Sequence, residues 1–206
     1  TNYWYGAILG SPGEGGNRER LIEELDLMKA HGIDNLRVLA GAEGPDGEPR
    51  RVSPALQLSP GVYNEDLLTG LDFLLAEMAK RDMAAILFLN NAWEWSGGFS
   101  QYLTWSGRGP IPYPETDGHT WGEFMKFSGT FHNCEECKEL FRNHIKFMLT
   151  RTNSITGIPY VEDPTIMTWE LANEPRAFSD ENKAPFLEWV NETSAYIKSL
   201  DPNHLV

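Results

Sequence analysis

The segment Thr165-Ile166-Met167-Thr168-Trp169-Glu170-Leu171-Ala172-Asn173-Glu174-Pro175-Arg176 is apolar through its first half and ends in an amide, a carboxyl and a guanidinium. That order can do chemistry. Glu174 can give and take a proton, Asn173 can hydrogen-bond a hydroxyl, and Pro175 fixes the backbone where a strand would emerge. A lone Glu at a strand end is most often a surface charge or a helix-capping partner, and these neighbours weigh against that plainer reading. Carboxyls set beside apolar walls titrate at higher pH, as a general acid working near neutrality requires. Arg37 lies between Leu36 and Val38 in another apolar run. A guanidinium there needs a carboxylate or carbonyl partner, because an isolated buried charge is too costly. It is read equally as a structural ion pair, with Glu170 as partner, or as the group that orients an active-site carboxylate. A third apolar run ends in Asn90-Asn91 and leads into Ala92-Trp93-Glu94-Trp95-Ser96-Gly97-Gly98. The asparagines fit a turn with glycine hinges. Four indoles, Trp93, Trp95, Trp105 and Trp121, exceed what a loop can bury by itself, so some are expected on a rim and others facing ligand.

The elements that must hold these groups alternate between strand and helix. Strands are predicted at Tyr3–Leu9, Ile33–Ala40, Met83–Leu89 and Pro164–Ala172, with a fifth starting at His204–Val206. Helices are predicted at Arg18–His31, Glu65–Arg81, Glu135–Arg151 and Pro185–Leu200 from apolar residues at helical spacing. Met83–Leu89 is apolar throughout, as parallel strands buried on both faces are. Strict β-α alternation predicts a parallel sheet with right-handed crossovers. A doubly wound open sheet competes with a (β/α)₈ barrel. The barrel is favoured because the longest loops, Gly41–Asn64 and Asn90–Asn133, follow the second and third strands, where barrel enzymes build their sites. The fold class is therefore α/β: four βα units of a TIM barrel plus the start of a fifth strand, in one domain over residues 1–206. Gly10-Ser11-Pro12-Gly13-Glu14-Gly15-Gly16 lacks both G-x-G-x-x-G spacing and a phosphate-loop Lys.

Composition removes other classes. Seventeen Lys and Arg against 30 Asp and Glu give a formal charge of −13, which disfavours nucleic acid and anionic membrane surfaces. No apolar run approaches the roughly 20 residues of a membrane span. Cys134 and Cys137 form a lone C-x-x-C with His132 upstream. A zinc site would need further ligands, which leaves a local disulfide or two free thiols. His31, His119, His132, His144 and His204 show no metal-ligand spacing.

Trp169-Glu170-Leu171-Ala172-Asn173-Glu174-Pro175, with Arg37 in Asn35-Leu36-Arg37-Val38, resembles the fourth-strand and second-strand signatures of glycoside hydrolase family 5. The finer resemblance is to its endo-β-1,4-mannanases. It rests on Asn2–Gly10 (NYWYGAILG), Asn90–Gly107 (NNAWEWSGGFSQYLTWSG) and Glu170–Arg176 (ELANEPR), and runs through the whole chain. The resemblance implies retaining hydrolysis of β-1,4-mannan, galactomannan or glucomannan, with no metal or cofactor. Glu174 would be the acid/base, Asn173 the partner of the sugar 2-hydroxyl, and Arg37 the support of the nucleophile. Arg176 would face the leaving-group subsites, and Trp93 and Trp95 would supply stacking platforms. A secreted or cell-envelope location is implied, although no signal peptide is visible at Thr1.

One part is absent. The family's nucleophile is a second Glu on the seventh strand, and retention needs two carboxyls about 5–5.5 Å apart. Glu170, Glu94 and Glu43 are weighed as substitutes, and none carries a matching motif. A half-barrel also leaves open sheet edges, so a complementary C-terminal half is expected as partner. A family 5 β-1,4-glucanase and a non-catalytic carbohydrate-binding half-barrel stand as the alternatives.

Overall fold

The computed structural model describes residues 1–48 and 50–206. Its centre is a parallel sheet of β1 (Asn35–Leu39), β4 (Ala84–Phe88) and β5 (Ile166–Glu170), in the order β1-β4-β5. Arg37 pairs with Ile86, and Phe88 pairs with Glu170, so the three strand ends lie side by side. Isolated parallel bridges extend the sheet on both sides, from Asn2 to Arg37 and from Leu205 to Thr168. The result is a five-membered arc, about half of a (β/α)₈ barrel. A small antiparallel pair, β2 (Gln57–Ser59) and β3 (Val62–Tyr63), lies within the predicted loop after β1.

Helices cover one face of the arc. They include α2 (Arg18–Ala30), α3 (Glu65–Ala79), α6 (Glu135–Leu149) and α7 (Lys183–Leu200). Leu36, Val38, Ala85, Leu87 and Trp169 are fully buried on that side. The alternate residues Asn35, Arg37, Ala84, Ile86 and Thr168 are only half-buried. Period-two alternation therefore governs strands whose apolar sequence fits burial on both faces. The concave side, which would face a barrel interior, is the less covered one.

Two predicted elements are corrected. Tyr3–Leu9 is not a strand: Gly6–Gly10 is a short helix, α1, and the first stave is reduced to hydrogen bonds between Arg37 and the backbone of Thr1 and Tyr3. The cause is a close helix contact that apolar spacing does not reveal. A Cβ at Gly10 would lie 2.2 Å from the Gly70 carbonyl oxygen, and one at Gly70 would lie 2.1 Å from that of Ala7. Only glycine at both positions lets α1 sit on α3. The long loop 90–133 is likewise largely helical, with α4 (Gly98–Trp105), α5 (Trp121–Gly129) and single 3₁₀ turns at Glu94–Ser96 and Thr130–Asn133. Phe99, Tyr102 and Leu103 of α4 and Phe124 of α5 are buried. Their apolar period is short and broken by Gly and Pro, which hides it in sequence. Cys134 and Cys137 form a disulfide at the start of α6, which decides between the two alternatives left open above.

The polar core is built as carefully as the apolar one. Asp72 on α3 is fully buried. It accepts hydrogen bonds from Arg151 Nε and Nη2 (3.0 and 2.7 Å), Tyr160 Oη (2.6 Å), and Ser154 N and Oγ (3.1 and 2.7 Å). Near the carboxyl end of β5, Trp169 Nε1 donates to Asp201 Oδ2 at 2.7 Å. That bond fixes the indole beneath the segment that ends in Glu174.

Candidate active site

The site lies at the carboxyl ends of β1, β4 and β5. Beyond the strands, Asn173 N donates to Asn90 O at 2.8 Å and Ala92 N to Asn173 O at 3.1 Å. These bonds hold the β4 and β5 exits together. Arg37 projects from β1 and engages Glu170 Oε2 through Nε (2.8 Å) and Nη2 (2.5 Å), while its Nη1 donates to Asn173 Oδ1 at 2.9 Å. The guanidinium also lies over the Phe88 ring, 4.2 Å from the centroid. This geometry carries the ion-pair reading of Arg37, and in place of an active-site carboxylate the guanidinium holds an amide. It closes an ion pair with Glu170 and, through a different nitrogen, orients the amide beside Glu174.

Asn173 is pinned from its other end as well, since its Nδ2 donates to Asn91 Oδ1 at 3.0 Å. Asn91 Oδ1 also accepts from Trp93 N at 3.0 Å, the turn expected of an asparagine there. Each group of the Asn173 amide keeps capacity for one more hydrogen bond. A ligand hydroxyl placed there would therefore meet an amide whose orientation is already set.

Glu174 stands at the lip. Its backbone is left-handed, with φ 45°, a conformation that non-glycine residues adopt sparingly and that recurs at functional sites. Trp93 Nε1 donates to Glu174 Oε2 at 2.7 Å, and Arg176 Nη2 lies 3.5 Å from the same oxygen. Both contacts engage Oε2, leaving Oε1 without a hydrogen bond among the described residues. Arg176 also sits over the Trp93 ring, 5.4 Å from its centroid. Trp93 is itself held edge to face by Trp121 (6.0 Å) and Phe178 (5.4 Å). The apolar enclosure expected around Glu174 is built on one side only: its side chain is 56% exposed. The Glu174–Arg176 pair, open to water on both partners, is worth little as a source of stability.

These residues line a cleft of about 460 Å³, bounded by Trp93, Glu94, Trp95, Trp121, Asn173 and Glu174. All six sequence-predicted site residues fall at or beside this cleft, with Arg37 beneath Asn173. Trp105 is half-buried against the edge of the Tyr102 ring, in the packing role expected of some indoles. Two contributors were passed over in sequence. Asn91 looked sufficient as a turn residue, and Glu94 carried no motif. Burial pushes the Glu94 carboxyl up, against its own backbone N–H and the charge of Arg50.

The turn that carries Trp93 and Trp95 rests on Glu43. Glu43 is buried, and its Oε2 accepts from Gly98 N at 2.9 Å. Its backbone carbonyl accepts from Arg51, which also donates to Gln101 (2.8 Å) and Tyr113 (2.7 Å). Burial raises the Glu43 carboxyl to about 7, although the Gly98 N–H and Arg51 draw it down. The native state therefore binds an extra proton between the ordinary carboxylate range and about pH 7, so stability falls as pH rises through that window. Urea unfolding midpoints followed across it should show Glu43→Gln losing a slope worth on the order of 3 kcal/mol relative to the parent. Parallel slopes in the two proteins would disprove the assignment.

The family model for GH family 5 beta-mannosidase-like proteins matches residues 1–206. The chain belongs to that family. Among relatives of this family 5 chain, a putative mannan endo-1,4-beta-mannosidase 9 of Oryza sativa subsp. japonica is 36% identical over 99% of the chain and 44% of its own length. Mannan endo-1,4-beta-mannosidase 7 of Arabidopsis thaliana is 35% identical over 99% of the chain and 42% of its own length. A glycoside hydrolase family 5 mannosidase from Rhizomucor miehei, solved as a mutant in complex with mannosyl-fructose, superimposes with TM-score 0.92 at 42% identity, over 100% of the chain and 49% of that structure. An endo-1,4-beta-D-mannanase from Thermotoga petrophila gives 0.76 at 30% identity, over 100% of the chain and 53% of that structure. The chain thus spans about half the length of the proteins it matches.

Proposed function

We propose that this chain is the first half of a barrel hydrolase that cleaves internal β-1,4-mannosidic bonds of mannan, galactomannan or glucomannan with retention of configuration. The observation that carries the reading is Glu174, held by the Trp93 indole N–H beside an oriented Asn173, at the mouth of a tryptophan-lined cleft. Glu174 protonates the glycosidic oxygen as the bond breaks and then deprotonates the incoming water. Asn173 holds the 2-hydroxyl, a bond that tightens as the ring approaches an oxocarbenium ion. Arg37 fixes Asn173, and Arg176 with Trp93 forms the leaving-group side. On this reading the nucleophile comes from the other half of the barrel, which the relatives carry in the length this chain does not match, and side chains from that half meet the half-buried concave face of the sheet. The mannan-directed names of the relatives support the substrate class, and a secreted or cell-envelope location accords with a polymeric substrate.

The test is direct. The complete barrel should hydrolyse mannohexaose, and NMR of early products should show the β-anomer at the new reducing end. The α-anomer would overturn retention. Turnover of cellohexaose in place of mannohexaose would reassign the substrate, and tight binding without turnover would leave a carbohydrate-binding module.

A further inference from the structure

The loop that follows β5 is gripped at its middle by a residue from a remote segment. Glu174 and Phe178 both have left-handed backbones, with φ of 45° and 61°. Non-glycine residues keep that conformation only where their surroundings impose it. The two ends of the loop close on one indole: Trp93 donates to Glu174 Oε2, and Phe178 packs edge to face against the Trp93 ring. Between them, the backbone from Glu174 to Phe178 makes a single hydrogen bond among the described residues. It runs from His132 Nε2 to Arg176 O, at 3.0 Å.

His132 lies in the 3₁₀ turn Thr130–Asn133, just ahead of α6, and is only 2% exposed. Its imidazole sits among Phe99, Phe131, Phe186 and Trp189, whose ring centroids are 5.1–5.6 Å away. A carbonyl oxygen can only accept, so Nε2 carries the proton and Nδ1 is bare. Nδ1 has no hydrogen-bond partner among the described residues. Burial pushes the imidazole down to about 4, the Lys138 charge acts the same way, and the Arg176 carbonyl opposes both. The ring is therefore uncharged at neutral pH, and its one polar act is the bond to Arg176. For packing alone a phenylalanine would serve better here, because a buried bare nitrogen is unfavourable.

Arg176 turns that bond toward the chemistry. Its backbone is held by His132, while its guanidinium lies over the Trp93 ring and 3.5 Å from Glu174 Oε2. Only Pro175, whose φ is fixed, separates Arg176 from Glu174. A shift of the Arg176 backbone is therefore passed on to the Glu174 carboxyl rather than absorbed between them. We infer that His132 is a positioning residue, which through Arg176 O holds Glu174 and Arg176 in place against Trp93 for proton transfer to the leaving group. His132 is buried and acts through Arg176 alone. The inference rests on the acid/base role proposed for Glu174, and it makes dependence on the leaving group the quantity to measure.

In the complete barrel, His132→Phe keeps an aromatic ring among its neighbours and removes the donor. It should lower kcat/KM on mannohexaose by about 10–100-fold, the effect of a slightly misplaced catalytic group. On a nitrophenyl mannobioside, whose departing anion needs no proton, the loss should be less than about threefold. His132→Gln, which restores an N–H donor, should recover most of the hexaose loss. Equal losses on the two substrates, no loss on either, or a Gln variant no better than Phe would overturn the assignment. If the parent protein turned over neither substrate, the proposed hydrolysis would fail by itself. Hydrogen exchange of the Trp93 indole N–H would then decide the role of His132: about tenfold faster exchange in His132→Phe supports it, and unchanged exchange overturns it. The parent also supplies a check that needs no variant. Imidazole ¹⁵N shifts should show His132 neutral with its proton on Nε2, and a proton on Nδ1 would overturn the bond to Arg176.

Discussion

Replacing Glu174 by alanine in the complete barrel is expected to lower kcat on mannohexaose by about 10²–10⁴-fold, the contribution typical of a positioned acid/base. Affinity for the oligosaccharide should persist, because stacking on Trp93, Trp95 and Trp121 does not require the carboxyl. The leaving group supplies a sharper readout. A nitrophenyl mannobioside expels an anion that needs no protonation, so formation of the glycosyl-enzyme should survive and its hydrolysis become the slow step. Added azide, which attacks without a general base, should then restore turnover and yield the β-glycosyl azide. An alanine variant with full activity, or one that azide cannot rescue, would remove Glu174 from the acid/base role. Arg37 should respond differently. Its side-chain hydrogen bonds go to Asn173 and Glu170 and not to Glu174, so azide is not expected to rescue its loss.

The largest effect on stability is expected at Asp72. Its carboxylate serves Arg151, Tyr160 and Ser154 from a fully buried position. Asp72→Ala leaves a guanidinium, two hydroxyls and a backbone N–H without their acceptor. Breaking a buried pair from one side costs about 3–5 kcal/mol, a large share of the stability of a typical domain. Urea midpoints at neutral pH should reveal it, and a change under about 1 kcal/mol would show that water replaces the network. The pH dependence has a definite sign. Burial pushes the Asp72 carboxyl up, but the hydrogen bonds from Arg151, Tyr160 and Ser154 outweigh it and hold the group below the usual range. The native state then binds fewer protons than the unfolded chain. The stabilisation is therefore present in full above the unfolded value, about 3.9, and is lost as pH falls through the lower folded value. Asp72→Asn should flatten that acid limb.

Glu174 and Asp72 differ in how plainly the sequence marks them. Glu174 announces itself, because an apolar strand has few reasons to end in Asn-Glu-Pro-Arg. Asp72 does not, because an acidic residue in Leu71-Asp72-Phe73 reads as the polar face of a helix until Arg151 and Tyr160, far along the chain, close over it.

By itself the sequence determined the staves and the groups at their ends. Period and alternation placed β1, β4 and β5 and the helices between them, since burial on a parallel sheet leaves a mark in every few residues. The resemblance then implied roles for Arg37, Asn173, Glu174 and Arg176. Tertiary structure decided what depends on distance between remote segments. It made Gly6–Gly10 a helix where Tyr3–Leu9 reads as a strand, because Gly10 and Gly70 allow two backbones to touch. It gave Trp93 a hydrogen bond to Glu174, set Asn91 against Asn173, and buried Glu94 in the wall of the cleft that holds Glu174. None of these pairings has a period or a spacing. Each is a meeting of segments remote in the chain, and it exists only once the fold has brought them together.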